Sequence, residues 1–186
     1  MKKLLLPISL LAVIAISCGS NDTTTTANKE NETKVDSGTL PKATADDQAF
    51  AVAAANAGMA EVKVGELAKT NAMSQQVKDF GAMMVEDHTK ANNELMDIAT
   101  KKKITLPVAP DSDHQKMYTD LSAKKGKDFD KAYVDGMVNG HEKVEKLMQD
   151  EIKDGKDPDL VAFATKTLPV VQTHLAKIKA IKDGMK

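Results

Sequence analysis

The sequence predicts an all-α protein whose folded part is an antiparallel four-helix bundle. Aromatic residues make up 3% of the 186 residues and tryptophan is absent. Alanine and lysine are the commonest residues instead, and both favour helix over sheet. Apolar residues recur with helical spacing in four long segments, and short links between consecutive segments make neighbouring helices antiparallel. A chain of this length holds one compact domain with additional segments.

The clearest helical segment spans residues 77–98. Two columns of residues recur in it every seven positions: Val77, Met84, Ala91 and Ile98, and Gly81, His88 and Leu95. This spacing is typical of the apolar seam along which one helix packs against others. His88 is the ionisable residue in the middle of the seam, so it is expected to point into the bundle.

Start and stop signals place the other helices. Pro107 and Pro110 interrupt the chain after the second helix and precede a short extra helix. Asp157 followed by Pro158 is a strong start signal for the last helix, because proline suits the first helical position. Thr44 or Ala45 is expected to open the first helix, and Ser74 is expected to cap the second. The predicted helices span about residues 45–70, 75–102, 113–124, 127–153 and 158 onward.

Each long helix carries one ionisable residue near the middle of its apolar seam. These residues are Glu61, His88, His141 and His174. Each lies about 13 to 16 residues into its helix, or roughly 20–24 Å along the axis. Mid-helix positions of an antiparallel bundle lie at one level, so we expect the four side chains to converge. Three imidazoles and a carboxylate suit one divalent transition metal such as zinc, iron or copper.

Neighbouring residues define the limits of this predicted site. Glu145 lies one turn from His141 and is the most plausible fifth ligand, whereas the phase of Asp87 and Glu142 points them away from the bundle axis. His114, after the proline-rich loop, is interpreted as a surface residue. A metal-free alternative also fits, in which Glu61 and the histidines form a buried hydrogen-bonded network in a structural or protein-interaction module.

The sequence favours a binding module over an enzyme. It contains no Ser/His/Asp order, no glycine-rich phosphate loop and no nucleotide fingerprint. A mononuclear metal oxidoreductase or hydrolase stays as a second alternative, and it would require an open coordination position and a pocket. With 26 basic and 27 acidic residues, the chain lacks the positive excess that nucleic acid binding requires. The sequence identifies no protein partner.

Residues 1–17 are typical of a bacterial lipoprotein signal peptide. Two lysines precede an apolar run that is too short for a comfortable membrane span, and the run ends before Cys18, the only cysteine. We interpret Cys18 as a lipidated residue that attaches the protein to a membrane of the cell envelope. Gly19 stands where some bacteria place the aspartate of inner-membrane retention, so we expect an outer-membrane or periplasm-facing lipoprotein.

Residues 18–44 are expected to form a disordered linker between the lipidated cysteine and the bundle domain of residues 45–186. The linker is rich in threonine, asparagine, serine, lysine and glutamate. With so few apolar residues, it cannot bury enough surface to offset its conformational entropy. It would act as a tether that holds the domain away from the membrane.

Several segments resemble a bacterial envelope family known as domain of unknown function 4142, whose members are often described as predicted outer membrane proteins. The segments are AFAVAAANAGMAEVKVGELA at 49–68, MVEDHTKANNEL at 84–95, YVDGMVNGHEKVEKL at 133–147 and LPVVQTHLAKI at 168–178. The resemblance implies an exported, ferritin-like four-helix bundle. Di-iron ferritin-like proteins carry Glu-x-x-His on two helices. Here Val85, Val138 and Val171 stand three residues before the seam histidines, so a dinuclear oxidase is not expected.

Overall fold

The computed structural model describes residues 22–36 and 43–185, in which six α-helices occur and no β-strand. The helices are α1 (Thr23–Asp36), α2 (Ala45–Asn71), α3 (Gln75–Lys102), α4 (Ser112–Ser122), α5 (Gly126–Asp154) and α6 (Pro158–Gly184). The all-α prediction is confirmed. The predicted signal peptide and Cys18 lie outside the described residues. None of the described helices is both long enough and apolar enough to cross a lipid bilayer.

The four long helices pack in a closed order. Helix α2 packs against α3 and α5, while α6 packs against α5 and α3. The connections at residues 72–74 and 155–157 are too short for anything but a reversal of direction, so α2–α3 and α5–α6 are antiparallel pairs. Helices α1 and α4 lie outside this group and pack mainly on α2.

The core consists of two apolar clusters with a polar layer between them. One cluster is built around Phe50, Leu95, Met148 and Phe163. The other is built around Val64, Phe80, Met137 and Ile178. Along every long helix the predicted ionisable residue falls at the boundary between the two clusters. The layer is therefore enclosed above and below by apolar side chains.

Side-chain oxygens cap the first turns of α2 and α6. Thr44 caps α2 in a capping box with Asp47, and Asp157 caps α6 directly before Pro158. Ser74 occupies the cap position of α3, but its hydroxyl makes no capping bond. The carboxylate of Asp130 on α5 accepts the amide protons of residues 73 and 74 instead, at 3.0 and 2.8 Å.

Helices α2 and α3 approach each other closely at two glycines. A Cβ atom built on Gly65 would lie 2.8 Å from the carbonyl oxygen of Gly81, and one built on Gly81 would lie 2.6 Å from the Cβ of Ala68. Gly58 similarly accommodates the side chain of Asn92, which would collide with an added Cβ. These contacts exclude larger residues, so the glycines fix the separation of the two helices.

Helix α1 corrects the expectation of disorder over residues 18–44. The Asn31 side chain donates to the carbonyl of Thr105 at 2.9 Å and accepts from the Thr105 amide at 2.8 Å. The Thr24 hydroxyl donates to the side-chain oxygen of Asn56 at 3.1 Å. Composition indicated disorder because the segment has few apolar residues, but α1 is held by polar contacts with α2 and the α3–α4 connection. Residues 37–42 of the predicted linker lie outside the described residues.

Candidate metal centre

The structure brings Glu61, His88, His141 and His174 together in the polar layer. All four residues are buried, with exposed fractions of 4, 6, 0 and 1%. One nitrogen from each histidine lies within 4.8 Å of the corresponding nitrogens of the other two. The ring centroids of the histidines are 5.4 to 5.9 Å apart. The three histidines, from α3, α5 and α6, therefore reach a common point inside the protein, and Glu61 of α2 lies beside it.

Glu61 supplies a negative charge to this point. Its Oε2 lies 2.8 Å from Nε2 of His88, and its Oε1 lies 3.3 Å from Nδ1 of His141. Burial by itself raises the pKa of Glu61, but the charges of His88 and His141 outweigh burial and hold the pKa at about 2. For His88, burial lowers the pKa and the Glu61 carboxylate raises it, with a net increase. Glu61 is thus ionised at neutral pH.

The other nitrogens of two histidines are held by neighbouring groups. Nδ1 of His141 lies 2.9 Å from the carbonyl oxygen of Met137, so Nδ1 carries the proton and Nε2 presents a lone pair. Nε2 of His174 lies 3.0 Å from Oδ2 of Asp87, so Nδ1 of His174 presents the lone pair. Metal-binding histidines are commonly oriented by such carbonyl and carboxylate partners.

The environment also keeps His174 uncharged. Burial lowers its pKa most, and the nearby His88 and His141 lower it further. The hydrogen bond to Asp87 offsets only part of this effect, so the pKa of His174 is about 4. At neutral pH its imidazole is neutral, which is the form that binds metal ions.

Four buried atoms of the cluster lack a well-aligned hydrogen-bond partner within the described residues. They are Oε2 of Glu61, Nε2 of His88, Nε2 of His141 and Nδ1 of His174. The contact between Glu61 and His88 is short but poorly directed for a hydrogen bond. A buried polar atom without a partner costs about 1–3 kcal/mol. A single cation among these atoms would satisfy one oxygen and three nitrogens at once, a donor set suited to zinc, iron or copper.

Two spaces adjoin the cluster. An enclosed cavity of about 20 Å³ touches Glu61 and His88 and is otherwise lined mainly by apolar side chains, so it has room for one water molecule. A larger groove of about 490 Å³ runs between α2, α4 and α5 and reaches Glu61. Gly140 forms part of its wall. A Cβ built on Gly140 would lie 4.0 Å from Oε1 of Glu61.

Two predictions about neighbouring residues need correction. Glu145 does not join the cluster, because its Oε1 accepts hydrogen bonds from Gln172 at 2.9 Å and Gln149 at 3.5 Å on the outside of the bundle. Asp87 was expected to point away from the bundle axis, yet its carboxylate reaches His174. The spacing along α3 does not indicate this contact, because it depends on how α3 and α6 pack.

An aromatic residue that sequence reasoning did not single out closes one side of the cluster. The ring of Phe80 lies edge-on to His141 and His174, with centroid distances of 6.2 and 6.4 Å, and at 6.3 Å from the ring of Tyr133. Phe80 is three per cent exposed. It therefore separates the histidines from the end of the bundle and keeps that side free of water.

Comparison with known proteins places the chain in a family. The family described as Domain of unknown function (DUF4142) matches residues 32–181. The chain belongs to this family. The match extends from the second half of α1 to near the end of α6, so it includes all four residues of the cluster. No curated protein and no solved structure matches the chain. Membership of DUF4142 carries no assigned activity, so the chemistry rests on the geometry of the cluster.

Proposed function

We propose that this protein binds one divalent transition-metal ion at Glu61, His88, His141 and His174. The observation that carries the proposal is a set of four buried polar atoms without a well-aligned hydrogen-bond partner among the described residues. Three are histidine nitrogens within 4.8 Å of one another, and the fourth is a Glu61 oxygen beside His88. A network maintained only for structure would direct protons between these atoms. Here the protons of His141 and His174 point outward to Met137 and Asp87, and the lone pairs point inward.

The surroundings favour binding over catalysis. A hydrolase or oxidoreductase needs an open coordination position that a substrate can reach. The cavity of about 20 Å³ at Glu61 and His88 has room for one water molecule, and the larger groove is lined by Glu61 but by none of the three histidines of the cluster. We therefore interpret the centre as a holder of a zinc, iron or copper ion, used for storage, delivery or stabilisation of the fold.

The cellular setting is part of the same proposal. The sequence of residues 1–18 supports a lipoprotein attached through Cys18 to the bacterial envelope and facing the periplasm or lying in the outer membrane. The packing order of the four long helices is the arrangement expected of a ferritin-like bundle. Without the Glu-x-x-His pairs of di-iron proteins, such a bundle would hold a mononuclear centre.

Metal content tests the proposal directly. The full-length protein is incubated separately with zinc, ferrous iron and cupric ions, freed of unbound metal and measured by elemental analysis. We expect about one ion per chain for the preferred metal, and a loss of at least about tenfold in affinity for the double variant His88→Ala/His141→Ala. The matched control is His114→Ala, which removes a histidine outside the cluster and should retain the ion.

The same experiment distinguishes the metal-free alternative. A wild-type protein that remains folded by circular dichroism yet binds none of the three metals would contradict the proposal. The four residues would then act as a buried polar network. Equal metal content in the double variant and the wild type would instead place the ion elsewhere on the chain.

A further inference from the structure

The groove between α2, α4 and α5 connects the surface of the protein with the candidate metal centre. Helix α4 crosses the outside of α2 and α5, and the groove opens along its inner side. Its floor includes Ala53 and Ala57 of α2 and Gly136 and Gly140 of α5. Small residues on both helices leave an opening that larger side chains would fill.

Charged and metal-binding side chains line the outer part of the groove. Asp111, Asp113 and His114 lie at the start of α4, and Lys143 lies on the opposite wall. His114 is half-buried, with its Nδ1 at 2.8 Å from Oδ1 of Asp111. The Asp111 carboxylate also caps α4 through the amide of His114 at 2.9 Å. The outer groove therefore offers two carboxylates and an imidazole against one ammonium group.

A buried carboxylate lies at the inner end of the groove. Glu61 is part of the wall of the groove and also contacts His88 and His141 of the central cluster. It is 4% exposed, and its Oε2 has no well-aligned hydrogen-bond partner. Gly140 lies beside this carboxylate, because a Cβ built there would be 4.0 Å from Oε1 of Glu61.

We propose that this groove is the path by which a divalent cation enters and leaves the buried centre. The inference rests on the proposed function, since it describes how the ion reaches that site. Carboxylates of Asp111 and Asp113 attract the hydrated cation, His114 offers an exchangeable nitrogen ligand, and Glu61 receives the ion at the inner end. Lys143 opposes entry because its charge repels the cation.

The opposite approach to the centre is closed by other groups. On the α3–α6 side, Asp87 is hydrogen-bonded to His174 and its side chain is one-third exposed. The Asp87 carboxylate is held by the ring of His174, so it orients a ligand rather than leaving a passage. Phe80 covers the direction towards Tyr133. The groove at Gly140 is therefore the side on which the cluster meets a space larger than one water molecule.

Loading kinetics test the path with substitutions at Gly140. Stopped-flow mixing of the full-length protein with zinc and a chromophoric chelator measures the rate of uptake, and an equilibrium competition measures affinity. Gly140→Leu should slow uptake by at least about tenfold, because entry then waits for a side chain to move. Gly140→Ala should slow it less. Gly184→Leu, the same exchange at a helical glycine with open space around it, is the control.

Release provides a second reading of the same variants. If the ion enters and leaves through the groove, a side chain that blocks the groove raises the activation barrier for passage and does not change the free energy of the bound ion. Removal of zinc by excess chelator should then slow by the same factor as uptake, with an unchanged dissociation constant. Distortion of the ligands would change affinity instead. If Gly140→Leu lowers the affinity, Gly140→Ala carries the test, since its Cβ would make only an ordinary contact with Glu61.

Variants that remove an acidic or a basic charge test the outer groove, because the two changes should affect uptake in opposite directions. Asp113→Asn should slow uptake by about two- to fivefold at low salt, whereas Lys143→Gln should accelerate it, and high salt should reduce both effects. His114→Gln should slow uptake at low and high salt alike, because it removes a nitrogen ligand. Unchanged uptake rates in all Gly140 and charge variants, with normal affinity, would overturn the path. A wild type that binds none of zinc, ferrous iron and cupric ions at equilibrium would instead overturn the proposed function.

Discussion

This protein has two clusters of buried ionisable side chains, and the two clusters have different roles. The central cluster consists of Glu61, His88, His141 and His174. A second group, which we call the end cluster, consists of Asp47, Glu151, Asp157 and Lys102 where the α5–α6 connection meets the start of α2. Asp47 and Asp157 are as completely buried as His141, with no exposed surface. The two clusters differ in how many of their oxygen and nitrogen atoms have hydrogen-bond partners on the protein.

In the end cluster the oxygens of Asp47 and Asp157 each meet a backbone, hydroxyl or ammonium donor, whereas Oε1 of Glu151 has no well-aligned partner in the described part of the chain. Oδ1 of Asp47 accepts the backbone amides of residues 156 and 157 at 2.7 and 3.1 Å, and Oδ2 accepts the amide and hydroxyl of Thr44 at 2.7 and 2.8 Å. Asp157 caps α6 with one oxygen, and its other oxygen lies 2.8 Å from the ammonium of Lys102. This cluster joins two helix starts and a loop, and groups of the protein itself hold the carboxylates of Asp47 and Asp157.

The central cluster lacks such donors. Its atoms face one another across the bundle axis, and four of them have no well-aligned partner. The comparison shows that burial of ionisable groups does not by itself indicate a binding site. Convergence of buried lone pairs without well-aligned donors is the feature that supports the proposed site, because a single added cation can satisfy them together.

The largest effect on folding is expected from the end cluster. Asp47→Ala removes the acceptor of four hydrogen bonds and leaves buried amides without partners, so the free energy of unfolding should fall by at least about 3 kcal/mol. Urea denaturation at constant pH measures the change. Asp46→Ala, at the exposed neighbouring position, should cost only about 0.3–1 kcal/mol. Equal costs for the two variants would remove the structural role given to Asp47.

The end cluster should also make stability depend on pH. Burial, followed by the charge of Asp47, raises the pKa of Glu151 from 4.5 to about 7. The folded protein therefore keeps a proton that the unfolded chain releases, and this stabilisation is present below pH 4.5 and is lost as the pH rises through about 7. Glu151→Gln stays neutral, so it should match wild type near pH 5 and exceed it at pH 8 by at most about 3 kcal/mol.

Urea denaturation at a series of pH values from 5 to 8 checks this prediction for Glu151. Asp150→Asn is the control, because Asp150 is an exposed neighbour that pairs with Lys146. An unchanged slope of stability against pH in Glu151→Gln would show that Glu151 does not titrate in this range.

Asp87, which lies outside the central cluster, should control the orientation of the His174 ring. The hydrogen bond from His174 Nε2 to Asp87 fixes the ring so that Nδ1 faces inward, and Asp87→Asn weakens this hydrogen bond. Metal affinity should fall by about 10–100-fold while the fold persists. Chelator competition measures the affinity, and Glu86→Gln at the exposed preceding position should leave it unchanged. Equal affinities of Asp87→Asn and wild type would contradict the orienting role.

The smallest effect is expected at Glu145. Its contacts with Gln149 and Gln172 lie on the outside of the bundle. Glu145→Gln should therefore leave metal stoichiometry and affinity unchanged and alter the free energy of unfolding by less than about 0.5 kcal/mol. A loss of metal from this variant would return Glu145 to the ligand set, and elemental analysis is sufficient to detect it.

Helix positions were accessible from the sequence because local signals determine them. The third long helix was predicted at about 127–153 and spans Gly126–Asp154, and the short helix predicted at 113–124 spans Ser112–Ser122. Heptad spacing also predicted which residue of each helix faces the axis, because the period of the helix fixes the phase. The proximity of the four central residues followed from their similar depth in each helix.

Contacts between distant segments were not accessible in the same way. Asp87 reaches His174 because of the lateral offset between α3 and α6, which periodicity along one helix does not report. Helix α1 is held by Asn31 and Thr24 through bonds to residues far along the chain. Such polar pairs leave no repeating pattern in the sequence, so composition alone suggested disorder.

The close contact of Gly65 with Gly81 also bears on which ion the protein would prefer. Gly65 lies one helical turn after Glu61, and Gly81 lies two turns before His88. The distance between these two glycines therefore sets how far apart the carboxylate and the imidazole can lie. Ions of different radius require different distances between their donors. Preference among metals would thus depend on the separation of two backbones, and a change at either glycine would alter it without replacing any ligand.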